Sequence, residues 1–362
     1  MREREGFLDI LRVAATCAVV LLHTVTGAMD ITDMAAFPAE EWIFLMALDL
    51  ICWSVPVFVL ISGYLFLKPA RRVSMRDVLA RYGRRILLAL FIFGVPYACL
   101  EQIALERSFS LGMLGKGFLM VLRGESWSHM WYLYLILALY LMTPALKWLL
   151  GRIPLPAAYG LAAVLAALGS ILPWLTGVLR WDYPAALSGC FIYLFYYVCG
   201  YLFGVSKGRM PEKRGHAAED VPRSGQAGRT AALWVLPGAA AGLALIMAVL
   251  RLAGIHTART SYDYPLTVIM ALLLFGWGLA WHRSGGKSVK NTGFWQKASE
   301  LTFTVYLIHP VFLNFFYKFL HITPLSFPVW LSLPLFFLGT LLLSFASAWV
   351  LYRIPPLRKY VL

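Results

Sequence analysis

Charge is what this sequence has least of. Only 14% of its 362 residues are Asp, Glu, Lys or Arg, and 60% are hydrophobic. A soluble globular domain carries roughly a quarter charged residues and about half apolar ones. The shortfall excludes an ordinary soluble enzyme, because the surplus apolar surface needs an apolar solvent, and lipid is that solvent. Acidic residues are scarcer than basic ones, 18 against 32. A net charge of +14 would suit nucleic acid if the cations formed one patch. They fall instead in alternate connecting segments, which excludes that partner and encodes orientation in a bilayer.

Paired cysteines are missing too. Cys17, Cys52, Cys99, Cys190 and Cys199 each lie inside an apolar run. That placement excludes a disulfide framework and a zinc motif, and points to buried structural thiols. No two His or carboxylates share a ligand-like i, i+4 spacing on a helix, so no metal site is expected. There is no internal repeat of the kind that marks secondary transporters. A cleavable leader is not expected either, since Asp9 and Arg12 interrupt the first apolar stretch.

What the chain does have is long apolar runs. They fall at 7–27, 41–67, 84–103, 129–150, 156–177, 186–204, 231–252, 264–281, 298–320 and 327–352. Most approach the roughly 20 residues that cross a bilayer core of about 30 Å. Ten crossings place both termini on one side. Twenty-four of the Lys and Arg lie in the segments on the side of the termini and seven in the opposite loops, with Arg12 inside the first run. The positive-inside rule then makes the termini cytoplasmic. The sequence predicts an all-α, polytopic protein of the plasma membrane with about ten transmembrane helices. Residues 1–362 form one membrane-embedded domain, and the Gly-, Arg-, Pro- and Ser-rich stretch 205–230 is a flexible cytoplasmic loop.

The first run holds two groups that resist a membrane. Arg12 and His23 are eleven residues apart. At about 100° per residue they lie about 20° apart on one face, some 16 Å apart along the axis. Asp9 and Thr16 share that face. Ionisable groups in a membrane helix usually face the protein interior and have a task. Histidine moves protons near neutral pH, which suits a general base acting on a hydroxyl. The structural alternative pairs Arg12 with Asp9 near the interface and leaves His23 bonded to a neighbouring helix.

With these residues in view, the chain resembles the acyltransferase-3 family of membrane O-acyltransferases. That family's first helix carries Arg, ten intervening residues and His, matched by Arg12 and His23. Its second helix ends in a pattern matched by Pro56-Val57-Phe58-Val59-Leu60-Ile61-Ser62-Gly63-Tyr64-Leu65. A cytoplasmic Arg-x-x-Arg is matched by Arg81-Tyr82-Gly83-Arg84. A later His-x-Trp-aromatic-Leu is matched by His129, Trp131, Tyr132 and Leu133, with Pro144 trailing. Near the end, Tyr306-Leu307-Ile308-His309-Pro310 is similar to the family's Tyr-Leu-x-His segment. Phe303 stands where the family pattern has Tyr, and the spacing around Asp49 has no match.

The resemblance implies an acyltransferase, with acetyl-CoA as donor co-substrate and no bound cofactor. The acceptor is a hydroxyl of a carbohydrate or lipid-linked glycan at or beyond the outer face. Arg12 and His23 become the catalytic candidates. Arg81, Arg84 and Arg85 become candidates to grip the CoA phosphates, since guanidinium binds phosphate bidentately. His129, Trp131, Tyr306 and His309 become candidates for the acceptor site, although aromatics near residue 129 also suit an interfacial belt. Ser62-Gly63 suits close helix packing. Three alternatives stay open: a transporter or flippase for a lipid-linked or small anionic substrate, a lipid-modifying acyltransferase whose His lies in a late helix, and a non-catalytic assembly factor.

Overall fold

The computed structural model describes residues 5–69, 74–205, 223–253, 261–284 and 292–362. Among them there is no strand. The helices are α1 Gly6–Asp30, α2 Pro38–Ile51, α3 Ser54–Phe66, α4 Met75–Glu106, α5 Gly112–Arg123 and α6 Trp131–Leu150. They continue with α7 Leu155–Val178, α8 Ala185–Val205, α9 Arg223–Leu252, α10 Pro265–Arg283, α11 Thr292–Asn314, α12 Val329–Leu351 and a short α13 Pro355–Tyr360. Nine spans among the described residues are long and apolar enough to cross a membrane. Helix α11 corresponds to the one remaining run, 298–320. Its polar Lys297, Glu300, His309 and Asn314 lower its hydropathy, and it packs between α1 and α12. The chain is an all-α polytopic membrane protein.

Three features depart from a plain series of rods. The run 41–67 is two helices, α2 and α3, broken at Cys52-Trp53. Pro56 is the cause: it has no N–H for the Cys52 carbonyl and its ring crowds that oxygen. Helix α5 lies between the α4 and α6 crossings, where no run was expected. Its Gly112, Gly115 and Gly117 lower intrinsic helicity. It is held by tertiary packing, with Met113, Gly117 and Val121 buried along one face against α4. The predicted cytoplasmic loop lies largely outside the described residues, at 206–222, while Arg223 onward is already α9.

Helix α1 is the hub. It touches α2, α3, α10, α11 and α12. Phe7, Leu8, Leu11, Ala15 and Val20 are buried along it. The α3–α8 pair packs closely because both faces carry glycine. A Cβ on Gly63 would lie 2.0 Å from the Tyr197 carbonyl oxygen, and one on Gly200 would lie 2.3 Å from that of Leu60. This bears out the packing role expected of Ser62-Gly63. The unmatched Asp49 also finds its partner: Arg251 on α9 grips it bidentately, Nε to Oδ2 at 2.7 Å and Nη2 to Oδ1 at 2.8 Å. That pair ties α9, otherwise lightly buried, to α2.

Candidate active site

Three histidines meet at the centre of the bundle. His23 of α1 lies 4.9 Å from His309 of α11, ring centroid to centroid. His129, in the turn leading into α6, lies 6.3 Å from His23 and 5.7 Å from His309. Tyr306 stands 5.6 Å from His129 and donates its hydroxyl to the His129 carbonyl. His129 is 2% exposed and His309 fully buried, so neither sits in an interfacial belt.

Backbone carbonyls set the state of each ring. His23 Nδ1 is 2.9 Å from the Val19 carbonyl. A carbonyl only accepts, so Nδ1 carries the proton and Nε2 keeps the lone pair. His309 follows the same logic for a local reason. Pro310 has no N–H for the Tyr306 carbonyl. His309 Nδ1 takes that place at 2.8 Å, which leaves its Nε2 buried and unbonded among the described residues. One residue on from Tyr306, the Leu307 carbonyl accepts two side-chain donors. Tyr97 Oη donates to it at 2.8 Å and His129 Nε2 at 3.3 Å. Pro310 thus gives His309 its anchor, while the neighbouring Leu307 carbonyl anchors Tyr97 and His129.

Two cavities reach this cluster from opposite ends of the bundle. One, of about 410 Å³, is lined by Arg12, Val19, Ser62, Tyr82, Arg85, Tyr132, Glu300, Phe303 and Tyr306. It opens toward the end carrying the basic segments. The other, of about 560 Å³, is lined by His23, Asp30, Glu101, Glu125, Trp127, His129, Asn314, Tyr317 and Lys318. Val19 and His23 are one helical turn apart on α1, and Tyr306 and Pro310 are one turn apart on α11. Each cavity therefore ends where the other begins.

Arg12 does two things. Its Nη1 pairs with Asp9 Oδ1 at 3.1 Å, as the structural alternative requires. It also lines the first cavity. Of the basic triad, Arg85 reaches that cavity and lies over the Phe303 ring at 5.3 Å. It also donates to the carbonyl oxygens of Val361, at 3.1 Å, and Leu362. Arg81 and Arg84 stay exposed at the same end, near the rings of Tyr82 and Tyr360. Trp131 faces Tyr193 and Tyr262, not the histidines. Ser62 lines the first cavity beside Tyr132. Among the described residues no group of three or more His, Cys, Asp or Glu could hold a metal ion.

Several wall residues were not singled out from the sequence. Asp30 is seven residues after His23, two turns along the same face, so its position was legible. Tyr97, Glu101, Glu125 and Tyr317 carry no such signal. Tyr317 enters because a π-helical turn at Phe315–Phe319 swings it back to donate to the Thr24 carbonyl at 2.8 Å.

An all-α membrane bundle with a buried His cluster between two cavities is built for chemistry inside the bilayer. Residues 5–353 match the acyltransferase-3 family, described as an acyltransferase domain. The chain belongs to that family and is a membrane acyltransferase. No curated protein and no solved structure matches it.

Proposed function

We propose that the chain moves an acetyl group from cytoplasmic acetyl-CoA to a hydroxyl of a carbohydrate or lipid-linked glycan on the far side of the plasma membrane. The observation that carries this reading is the approach of the two cavities on α1, where Val19 lines one and His23, a helical turn on, lines the other. The excess of Lys and Arg at the Arg12 end supports a cytoplasmic placement for that cavity. Its Arg12 and Arg85 suit a phosphate-bearing donor. The exposed Arg81 and Arg84 at the same end suit the nucleotide phosphates, with the pantetheine arm directed into the cavity. The rise of about 16 Å from Arg12 to His23 is comparable to an extended pantetheine.

The acceptor enters from the Asp30 side. His23 Nε2 takes the hydroxyl proton as the oxygen attacks the thioester carbonyl carbon. A C–O bond forms and the C–S bond breaks. The proton passes from His23 to the departing sulfur, giving the ester and free CoA thiol. This is general base then general acid catalysis by one imidazole, held in the required tautomer by Val19. His23 lines a cavity while His309 lines neither, which favours the first-helix histidine as base over the late-helix one. The closed ring cluster between the cavities favours transfer over permeation.

The test is His23→Ala in purified, reconstituted protein given labelled acetyl-CoA. Transfer and thioester hydrolysis should fall by roughly 10²–10⁴-fold, the usual contribution of a positioned base, with the melting temperature nearly unchanged. Retained transfer sinks the mechanism.

A further inference from the structure

The two cavities have opposite electrical character. Asp30, Glu101 and Glu125 line the His23 cavity against one ammonium, Lys318. None of the three carboxylates forms an ion pair among the described residues. Lys116, on the nearby α5, is already paired with Glu106 at 3.6 Å. The three come from separate elements: the end of α1, the far part of α4, and the turn before α6. Three carboxylates against one ammonium leave the cavity wall net negative, which favours a cationic ligand.

The buried end of the same cavity makes a matching demand. His129 is 2% exposed and lines it. Its Nε2 is engaged by the Leu307 carbonyl, so Nδ1 holds a lone pair, with no hydrogen-bond partner among the described residues. His23 presents a lone pair at Nε2 by the same reasoning. Carboxylates and these two ring nitrogens all accept hydrogen bonds. The ligand must bring the donors. Trp127 adds an aromatic wall, stacked on Tyr97 at 4.2 Å and 5°. Such a wall suits the C–H face of a ring, and more so a cation.

We propose that the acceptor is an amine-bearing hydroxy compound of the amino-sugar class, its ammonium held by Asp30, Glu101 and Glu125 while a hydroxyl faces His23. Uronic acids and phosphorylated glycans are rejected by the same carboxylates. The negative field also keeps the polyphosphate of the donor out of the acceptor cavity. This inference rests on reading the His23 cavity as the acceptor site.

The experiment separates the two. Methyl glucosaminide, methyl glucoside and methyl glucuronide are titrated calorimetrically into the purified full chain without donor. The glucosaminide should bind about tenfold tighter than the glucoside, the effect of one charge-assisted contact. The glucuronide should bind more weakly than either. The order should flatten in the Asp30→Asn, Glu101→Gln, Glu125→Gln triple variant. Glu125→Gln alone, at an exposed turn position, should halve the preference or more if the triple variant fails to fold. Equal binding of glucuronide and glucosaminide, failure of all three to bind, or an unchanged order in these variants overturns the proposal. Turnover with labelled acetyl-CoA is scored separately, ester being told from amide by its lability to hydroxylamine. Transfer without charge preference overturns this inference alone. Charge-ranked binding without any transfer supports it and overturns the acyl-transfer reading.

Discussion

At the scale of single residues, a proline does more for the site than any charged group. Pro310 frees the Tyr306 carbonyl, and His309 Nδ1 answers it at 2.8 Å. Pro310→Ala restores a backbone donor, and a helix-interior proline costs about 3 kcal/mol. We expect that variant to melt higher in detergent yet transfer more slowly, since His309, and with it the His23 contact, loses its anchor. An unchanged kcat beside a raised melting temperature would show that Pro310 does not orient His309 for the reaction. Arg12 is tested differently. Arg12→Ala should raise the KM for acetyl-CoA by about tenfold or more, the effect of losing one charged contact, and Arg12→Lys should recover part of it. A change confined to the acceptor KM would remove Arg12 from donor binding. Arg12 and His23 were legible as a polar stripe at helical spacing. Asp30 continues that stripe and could have been read. Tyr97, Glu101, Glu125 and Tyr317 could not, because they reach the site only through the folding of other helices against α1.

At the scale of elements, the apolar runs matched helices almost throughout, because length and hydropathy suffice to define a membrane crossing. The exceptions have local causes. Pro56 splits one run into α2 and α3, and glycine-rich α5 forms only because α4 covers its Met113, Gly117 and Val121 face. The close approach of α3 and α8 predicts that Gly63→Leu will not be accommodated. A Cβ there already meets backbone at 2.0 Å, and overpacking of this kind costs about 1–3 kcal/mol or more. Loss of folded protein on size-exclusion is the expected result, with Ser62→Ala, one residue away, near wild type. The Asp49–Arg251 pair is partly buried, 11% and 14% exposed at the side chains. Removing one partner should destabilise by about 3 kcal/mol, less what water recovers, and Asp49→Asn with Arg251→Met should restore part of it. Thermal melts of the singles and the double decide this.

At the scale of the whole molecule, function depends on which side each cavity faces. The Lys and Arg asymmetry predicts that the Arg12 cavity opens to the cytoplasm. In a background with the five cysteines replaced, Ser110→Cys and Ser326→Cys should react with an impermeant maleimide on intact cells. Ser74→Cys should react only after permeabilisation. The reverse pattern would invert the donor and acceptor assignments and with them the direction of transfer.

Hydrophobic run length, the cation bias and helical spacing act along the chain, so the sequence alone determined the all-α membrane architecture and the stripe from Arg12 to His23. It determined the family as well, because five short motifs keep their order along one frame. What only the tertiary structure decided is the site's shape: three histidines on three elements, a wall with a cationic cavity on one side and an acidic one on the other. Those contacts join residues hundreds of positions apart, such as Thr24 with Tyr317 and Tyr97 with Leu307. No local pattern encodes them, since each side chain is placed by how its helix packs against α1 and not by its own neighbours in the chain.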